Sequence, residues 1–337
     1  MVLGDPAGIG PELVAKLLAN AETLNAADVL LVADASEMRR AMSLAQCEIE
    51  METATSYDDV SFHGKPVLMA TRTPAYGGFE RGVTSAKAGR YCLDTLSFAV
   101  AAARQGVVDA VVFAPLNKHS LHLAGMSTSD ELHWFADTLG FQGPVSEFNV
   151  LDDLWTSRVT SHIALRAVAD AVTCEGVLTS IGLLQKEILR CGIKKPRLAV
   201  CGLNPHNGDY GSFGREEIDV IAPAVALARA QGIDVEGPFA ADTIFLKVQG
   251  GRREYDGVVT MYHDQGQIAM KLMGFARGIT VQGGLPLPIL TPAHGTAFDI
   301  AGRGVADPGA IIKTFQLACL MAGIAVEKTK EGSSSHA

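Results

Sequence analysis

Cysteine is sparse and badly placed for metal or disulfide chemistry. The six residues (Cys47, Cys92, Cys174, Cys191, Cys201, Cys319) form no Cys-x-x-Cys pair, which excludes a thiolate zinc knuckle and a disulfide scaffold. No stretch approaches the ~18 uninterrupted apolar residues of a membrane span, and Met1 to Asp5 lack the basic and apolar regions of a signal peptide. Basic residues are also scarce: 28 Lys and Arg stand against 37 Asp and Glu, for a net charge of −9, with no basic stripe interleaved with aromatics. Nucleic acid is thereby excluded as the main partner. Internal repeats and Pro- or Ser-rich linkers are missing too. The expectation is a soluble, cytoplasmic protein whose partner is a small molecule.

What is present is core material. Of 337 residues, 48% are hydrophobic, enough for one large or two medium domains. Apolar β-branched runs at 28–33, 66–70, 110–114, 197–201 and 257–260 alternate with amphipathic stretches at 36–46, 85–104, 131–139, 176–191, 216–231 and 308–323. That alternation predicts an α/β fold built from βαβ units on a mostly parallel sheet. Two domains, if formed, are joined by crossing elements, not by a tether.

The organising stretch runs from Thr260 to Gln267, with Lys271 beyond it. The strand at 257–260 delivers His263, Asp264 and Gln265 where it stops, and strand ends face the ligand crevice of α/β proteins. His206 follows another strand end in the loop Gly202 to Gly208, and Ser161 reads as the cap of a helix that begins near His162. Three imidazoles beside element ends could hold a divalent ion and leave a position open, although their spacing matches no local ligand motif. Asp242 and Asp264 are candidate acids or bases. Lys118, after the strand at 110–114, is a candidate crevice cation. Leu3 to Glu12 carries three glycines and opens a helix with Pro11 in its first turn, yet it is not a dinucleotide fingerprint.

The motifs at 4–12 (Gly-Asp-Pro-Ala-Gly-Ile-Gly-Pro-Glu), 201–206, 241–243, 261–266 and 294–297 together resemble the 4-hydroxythreonine-4-phosphate dehydrogenase family over nearly the whole chain. The resemblance implies two αβα lobes around a central cleft, as in isocitrate and isopropylmalate dehydrogenases. One lobe spans 1–120 with about 295–337, and the other, carrying metal, substrate and dimer contacts, about 121–294. It implies a homodimer with a shared active site, and zinc or another divalent metal on His162, His206 and His263, the last given across the interface. It implies a cofactor loop at His294, Gly295, Thr296, Ala297 and Asp299. A carboxylate at 299 would favour NAD over NADP. Asp242, Asp264, Lys271 and Lys118 are then the catalytic candidates of a metal-assisted dehydrogenase with decarboxylation.

Two departures bear on the substrate. Glu131 and Leu132 fall where the family usually places a His-Thr pair that helps hold a phosphate, and Ile289 falls where it usually carries arginine. With Lys271 and Thr280 these define the substrate-binding candidates. An acid and two apolar groups subtract affinity for a phosphate dianion. They favour an unphosphorylated ring such as the terephthalate 1,2-cis-dihydrodiol, giving protocatechuate, over 4-phosphohydroxythreonine of vitamin B6 biosynthesis or a phosphorylated sugar acid. A metal-dependent hydrolase or a non-catalytic binding protein are the readings from other classes.

Overall fold

The computed structural model describes residues 1–70, 78–249, 254–274 and 277–324. The Pro74 to Gly82 loop expected from sequence falls partly outside them. Among the described residues eleven strands are formed: β1 (Leu30–Ala33), β2 (Glu52–Ala54), β3 (Val67–Ala70), β4 (Val111–Val112), β5 (Ser146–Leu151), β6 (Leu154–Arg158), β7 (Leu198–Cys201), β8 (Val235–Phe239), β9 (Gly257–Thr260), β10 (Ile279–Gly283) and β11 (Ile289–Pro292). They make a parallel sheet β1-β3-β2 and an eight-stranded sheet β4-β11-β10-β5-β6-β9-β7-β8. Val2 bridges to Val32 on one side and to Phe113 on the other, both in parallel. The chain's first strand is therefore a single residue that stitches the two sheets together.

The sheet is parallel at β6-β9-β7-β8, but β11-β10, β10-β5 and β5-β6 are antiparallel. Strands β2, β5, β8, β10 and β11 were not predicted; β6 falls in the stretch Leu154 to Thr160, which the sequence reads as extended. Residues on β5, β6 and β10 alternate strictly. Phe148, Val150, Trp155, Ile279 and Val281 point into the largest apolar cluster, against the helices Cys174–Arg190 and Ala222–Ala230. Glu147, Asn149, Arg158, Thr280 and Gln282 therefore occupy the opposite face.

Helices cover both faces. Gly10–Leu18, Ala35–Ala45 and Gly309–Met321 pack on one side of the amino-terminal strands, and Ala86–Arg104 with Glu131–Leu139 on the other. Their starts follow local chemistry: Asp34, Ser85, Asn117, Asp130 and Thr173 each accept a first-turn N–H, contributing about 1 kcal/mol apiece. The helix expected from Ser161 is not formed. Ser161 accepts from Arg158 Nε at 3.0 Å, so its hydroxyl is engaged elsewhere, and regular structure resumes only with a 3₁₀ turn at Leu165–Ala167. No single helix among the described residues is long and apolar enough to cross a membrane.

Candidate active site

Strand β9 ends at Thr260 and the helix His263–Gly274 begins at once, so His263 stands at the turn. Its Nδ1 lies 2.7 Å from Asp264 Oδ1. If Nδ1 carries the proton, Nε2 is left as a ligand, the arrangement common at protein metal sites. Strand β6 runs parallel to β9, with Arg158 opposite Thr260. The chain beyond β6 therefore carries His162 to the same end of the sheet, and the two imidazoles lie 5.8 Å apart, centroid to centroid. Asp130 stands behind them: Oδ1 is 2.6 Å from His133 Nδ1 and Oδ2 is 3.9 Å from His162 Nδ1. Burial opposes its charge, yet the bonds from the His133 N–H and ring outweigh it and hold its carboxyl below the ordinary range.

His206 follows β7 in the turn Pro205–Gly211. Five successive residues there, from His206 to Tyr210, take left-handed backbone, which costs about 1–2 kcal/mol for each residue with a side chain. The neighbouring polar groups hold this strained turn. Glu217, 3% exposed, accepts from Leu203 N at 2.6 Å, Asn204 N at 2.7 Å and Asn204 Nδ2 at 3.0 Å, while Asn207 donates to the Pro238 carbonyl. The His206 ring lies against Phe213. Within one chain the described residues contain no group of three metal-capable side chains, so His206 does not join His162 and His263 in a ready-made set.

A cavity of about 270 Å³ opens at the pair, lined by His162, His263, Lys118, Lys271, Glu147, Asn149, Gln267 and Thr280 among others. Lys118 begins a helix capped by Asn117, and its Nζ is 3.6 Å from Glu131. A second chamber of about 400 Å³ shares His162 and Glu147 with the first. It is walled by Asp130, Glu131, Leu132, Arg158, Glu175 and Gln282, among others. Arg158, 7% exposed, is engaged within the protein: Nη2 lies against Glu147, Nη1 donates to Asn149 at 3.0 Å, and Nε bonds Ser161. Asn149 donates on to Thr280 and accepts from Gln267. Glu147, Asn149, Arg158 and Gln282 were missed from sequence, while Gln267 lies in the stretch singled out there. The alternation Glu-Phe-Asn-Val at 147–150 and Ile-Thr-Val-Gln at 279–282 was the signal that could have exposed them.

Other expected residues lie elsewhere. Ile289 is fully buried in an apolar cluster with Val111 and Phe113, so it offers no surface to a ligand. Leu132 is mostly core and reaches only the edge of the larger chamber. Asp242 is exposed on the short helix Ala241–Ile244, which packs against the His206 turn, and it lines neither cavity. His294, Gly295, Thr296, Ala297 and Asp299 form the loop after β11, with Ala297 in left-handed backbone and Asp299 exposed. This loop rests on the first motif. Ile9 N–H donates to the Thr296 carbonyl at 3.0 Å, and a Cβ on Gly8 would lie 2.8 Å from Thr296. Glu12 is buried, and its role is to accept from Ala306 N–H at 2.7 Å and from Lys16. The two glycine-rich stretches are thus one structural unit.

The model for the family described as pyridoxal phosphate biosynthetic protein PdxA matches residues 25–318. A Pseudomonas aeruginosa protein provisionally named 4-hydroxythreonine-4-phosphate dehydrogenase 2 is 59% identical, covering 95% of this chain and 96% of its own length. A Clostridium botulinum protein provisionally named D-threonate 4-phosphate dehydrogenase is 34% identical, with 94% of each covered. The crystal structure of 4-hydroxythreonine-4-phosphate dehydrogenase from Klebsiella pneumoniae superposes with a TM-score of 0.82 at 36% identity, covering 95% of this chain and 96% of that one. The terephthalate 1,2-cis-dihydrodiol dehydrogenase of Burkholderia xenovorans superposes at 0.67 with 27% identity, with 96% of each covered.

Proposed function

The chain belongs to the PdxA family of dehydrogenases, oxidoreductases acting on CH–OH groups, and from that membership we propose that it oxidises a phosphorylated acyclic hydroxy acid with NAD and a divalent metal. The single observation that carries this reading is the cavity in which two imidazoles 5.8 Å apart face Lys118 and Lys271. The imidazole pair, with His263 backed by Asp264, would fit a transition ion such as zinc; because that pair lies within one chain, the third ligand given by a second copy on this reading is His206, in place of the His263 that the resemblance implied. When bound, the ion would supply Lewis-acid stabilisation of a substrate alkoxide, and the dinucleotide would supply the hydride acceptor. The protein's part is to hold and orient. Lys118 and Lys271 attract the anionic end of the substrate, while Asp264 fixes the ring of His263. The larger chamber carries four carboxylates against the one guanidinium of Arg158, so a phosphate is held on the lysine side.

The loop at 294–299, propped by Gly8 and Ile9, holds the dinucleotide on the same reading, with the exposed Asp299 carboxylate favouring NAD over a 2′-phosphorylated cofactor. The lobes then meet at this cavity, one formed by 1–120 with the segment from about 295 and the other by 121–294. Where the product is a β-keto acid, loss of carbon dioxide follows.

The ring-diol preference inferred from Glu131, Leu132 and Ile289 gives way in rank, because Ile289 is core and Leu132 nearly so. Relatives at 59% and 34% identity also bear the names of phosphorylated acyclic acids. A terephthalate-type diol remains the second reading, favoured by one observation, that Glu131 draws on the charge of Lys118 at 3.6 Å. NADH formation from 4-phosphohydroxythreonine, D-threonate 4-phosphate and the diol, with and without EDTA, separates the two. Turnover of the diol alone would overturn the first reading, and EDTA-insensitive turnover would remove the metal.

A further inference from the structure

Both imidazoles of the pair have a carboxylate at the same nitrogen. His263 Nδ1 lies 2.7 Å from Asp264 Oδ1, and His162 Nδ1 lies 3.9 Å from Asp130 Oδ2. The two acids are held differently. Asp264 is the exposed neighbour of its own histidine in the chain, whereas Asp130 comes from another element. It caps the helix Glu131–Leu139, and its side chain is 13% exposed. Its Oδ1 is taken up by His133, accepting from the backbone N–H at 2.9 Å and lying 2.6 Å from ring Nδ1. Those two bonds fix the carboxylate and leave Oδ2 turned toward His162. The His162 ring needs such a support, because it is half exposed and stands in the irregular stretch after β6, where no helix forms. Asp130 is its one ion-pair partner among the described residues.

We infer that Asp130 is a positioning residue for His162: it keeps the ring proton on Nδ1 and so leaves Nε2 as the metal-binding nitrogen. Its part is played through that ring, with no contact to the ion. The inference rests on the reading of His162 as a ligand. Both residues belong to one chain, so the role is the same whichever copy completes the site. A carboxylate behind a ligating imidazole fixes tautomer and orientation, and its replacement characteristically changes metal affinity by about 10–100-fold.

The test compares wild type, Asp130→Asn and Asp130→Ser as full-length proteins at pH 8. Asp130→Asn keeps the helix cap and the oxygen facing His133, but turns an amide N–H toward His162 Nδ1, which favours the other tautomer. Asp130→Ser keeps a capping oxygen and removes the group that faces His162. Calorimetric titration of the metal-free proteins with Co²⁺ should show a 10–100-fold loss of affinity in Asp130→Asn, with Asp130→Ser between it and wild type. Nitrogen-15 NMR of the metal-free proteins should place the His162 proton on Nδ1 in wild type and on Nε2 in Asp130→Asn, while thermal unfolding moves little. A merely structural role would not give that pattern. An unchanged tautomer in Asp130→Asn, or Co²⁺ affinity within about twofold of wild type, would overturn the positioning role. A wild type that binds no Co²⁺ would overturn the metal reading and this role with it, and the tautomer, read without metal, tells that failure from the first.

Discussion

Gly8 and Thr296 approach so closely that a β-carbon on the glycine would sit 2.8 Å from both the Cβ and the carbonyl oxygen of Thr296. The neighbouring Ile9 N–H already bonds that carbonyl at 3.0 Å. The first motif therefore serves as the floor under the second. A Gly8→Ala chain must push the 294–299 loop outward, at an overpacking cost of about 1–3 kcal/mol. NAD affinity, read by fluorescence titration, should fall about tenfold or more, with smaller change in Co²⁺ affinity. Unchanged NAD binding would show that the loop does not hold the dinucleotide.

The left-handed turn at His206 depends on Glu217. Replacing Glu217 with Ala leaves the N–H groups of Leu203 and Asn204 without their acceptor in a largely buried setting. Loss of stability should be about 2–5 kcal/mol in urea unfolding, since each stranded donor costs about 1–3 kcal/mol. Glu217→Gln retains an acceptor oxygen and should lose less than half as much.

Asp152, at the turn between β5 and β6, gathers Lys313 at 3.0 Å and Arg277 at 3.2 Å. Burial raises its pKa, but the bonds from Lys313 and Arg277 prevail and lower it overall. A depressed carboxyl stabilises the fold fully above its ordinary value near ~4, and that contribution is lost as pH falls through the lowered one. Denaturant midpoints of wild type and Asp152→Asn should therefore differ at pH 6 and converge toward pH 2–3. A gap that widens on acidification would contradict this. The side chain is half exposed, so the effect should be modest and weakened by salt.

Burial pushes the thiols of Cys201 and Cys191 up to about 12 and that of Cys319 up to about 11. At pH 8 these three, with Cys92, whose thiol burial also pushes well up, should react with a disulfide reagent only at the rate of unfolding. A burst of more than two thiols from the native protein would show a looser core than the one described.

Sequence pattern found the strands that are apolar on both faces. Gly257–Thr260 and Leu198–Cys201 read as β-branched runs because helices cover them on each side. Strands β5 and β10 escaped because every second residue on them is polar. Those polar residues are what line the cavities, so the part of the sheet that matters most for chemistry was the least visible. The helix His263–Gly274 was hidden likewise by its polar, glycine-containing start. Ser161 misled for a physical reason: a serine before a helix-like stretch looks like a cap until a nearby guanidinium takes its oxygen. The meeting of His162 with His263 is set by the parallel pairing of β6 and β9, a long-range contact that no local spacing encodes.

That two-faced alternation also ties architecture to reactivity. Sliding β5 by one position against β6 and β10 would swap Phe148 and Val150 for Glu147 and Asn149 beneath the helices. A carboxylate would then be stranded in oil while a phenyl ring plugged the cavity mouth. Mutational drift in this strip is thus policed twice, since any sequence that mispairs these three ribbons forfeits the molecule's packed interior at the same moment as its cavity.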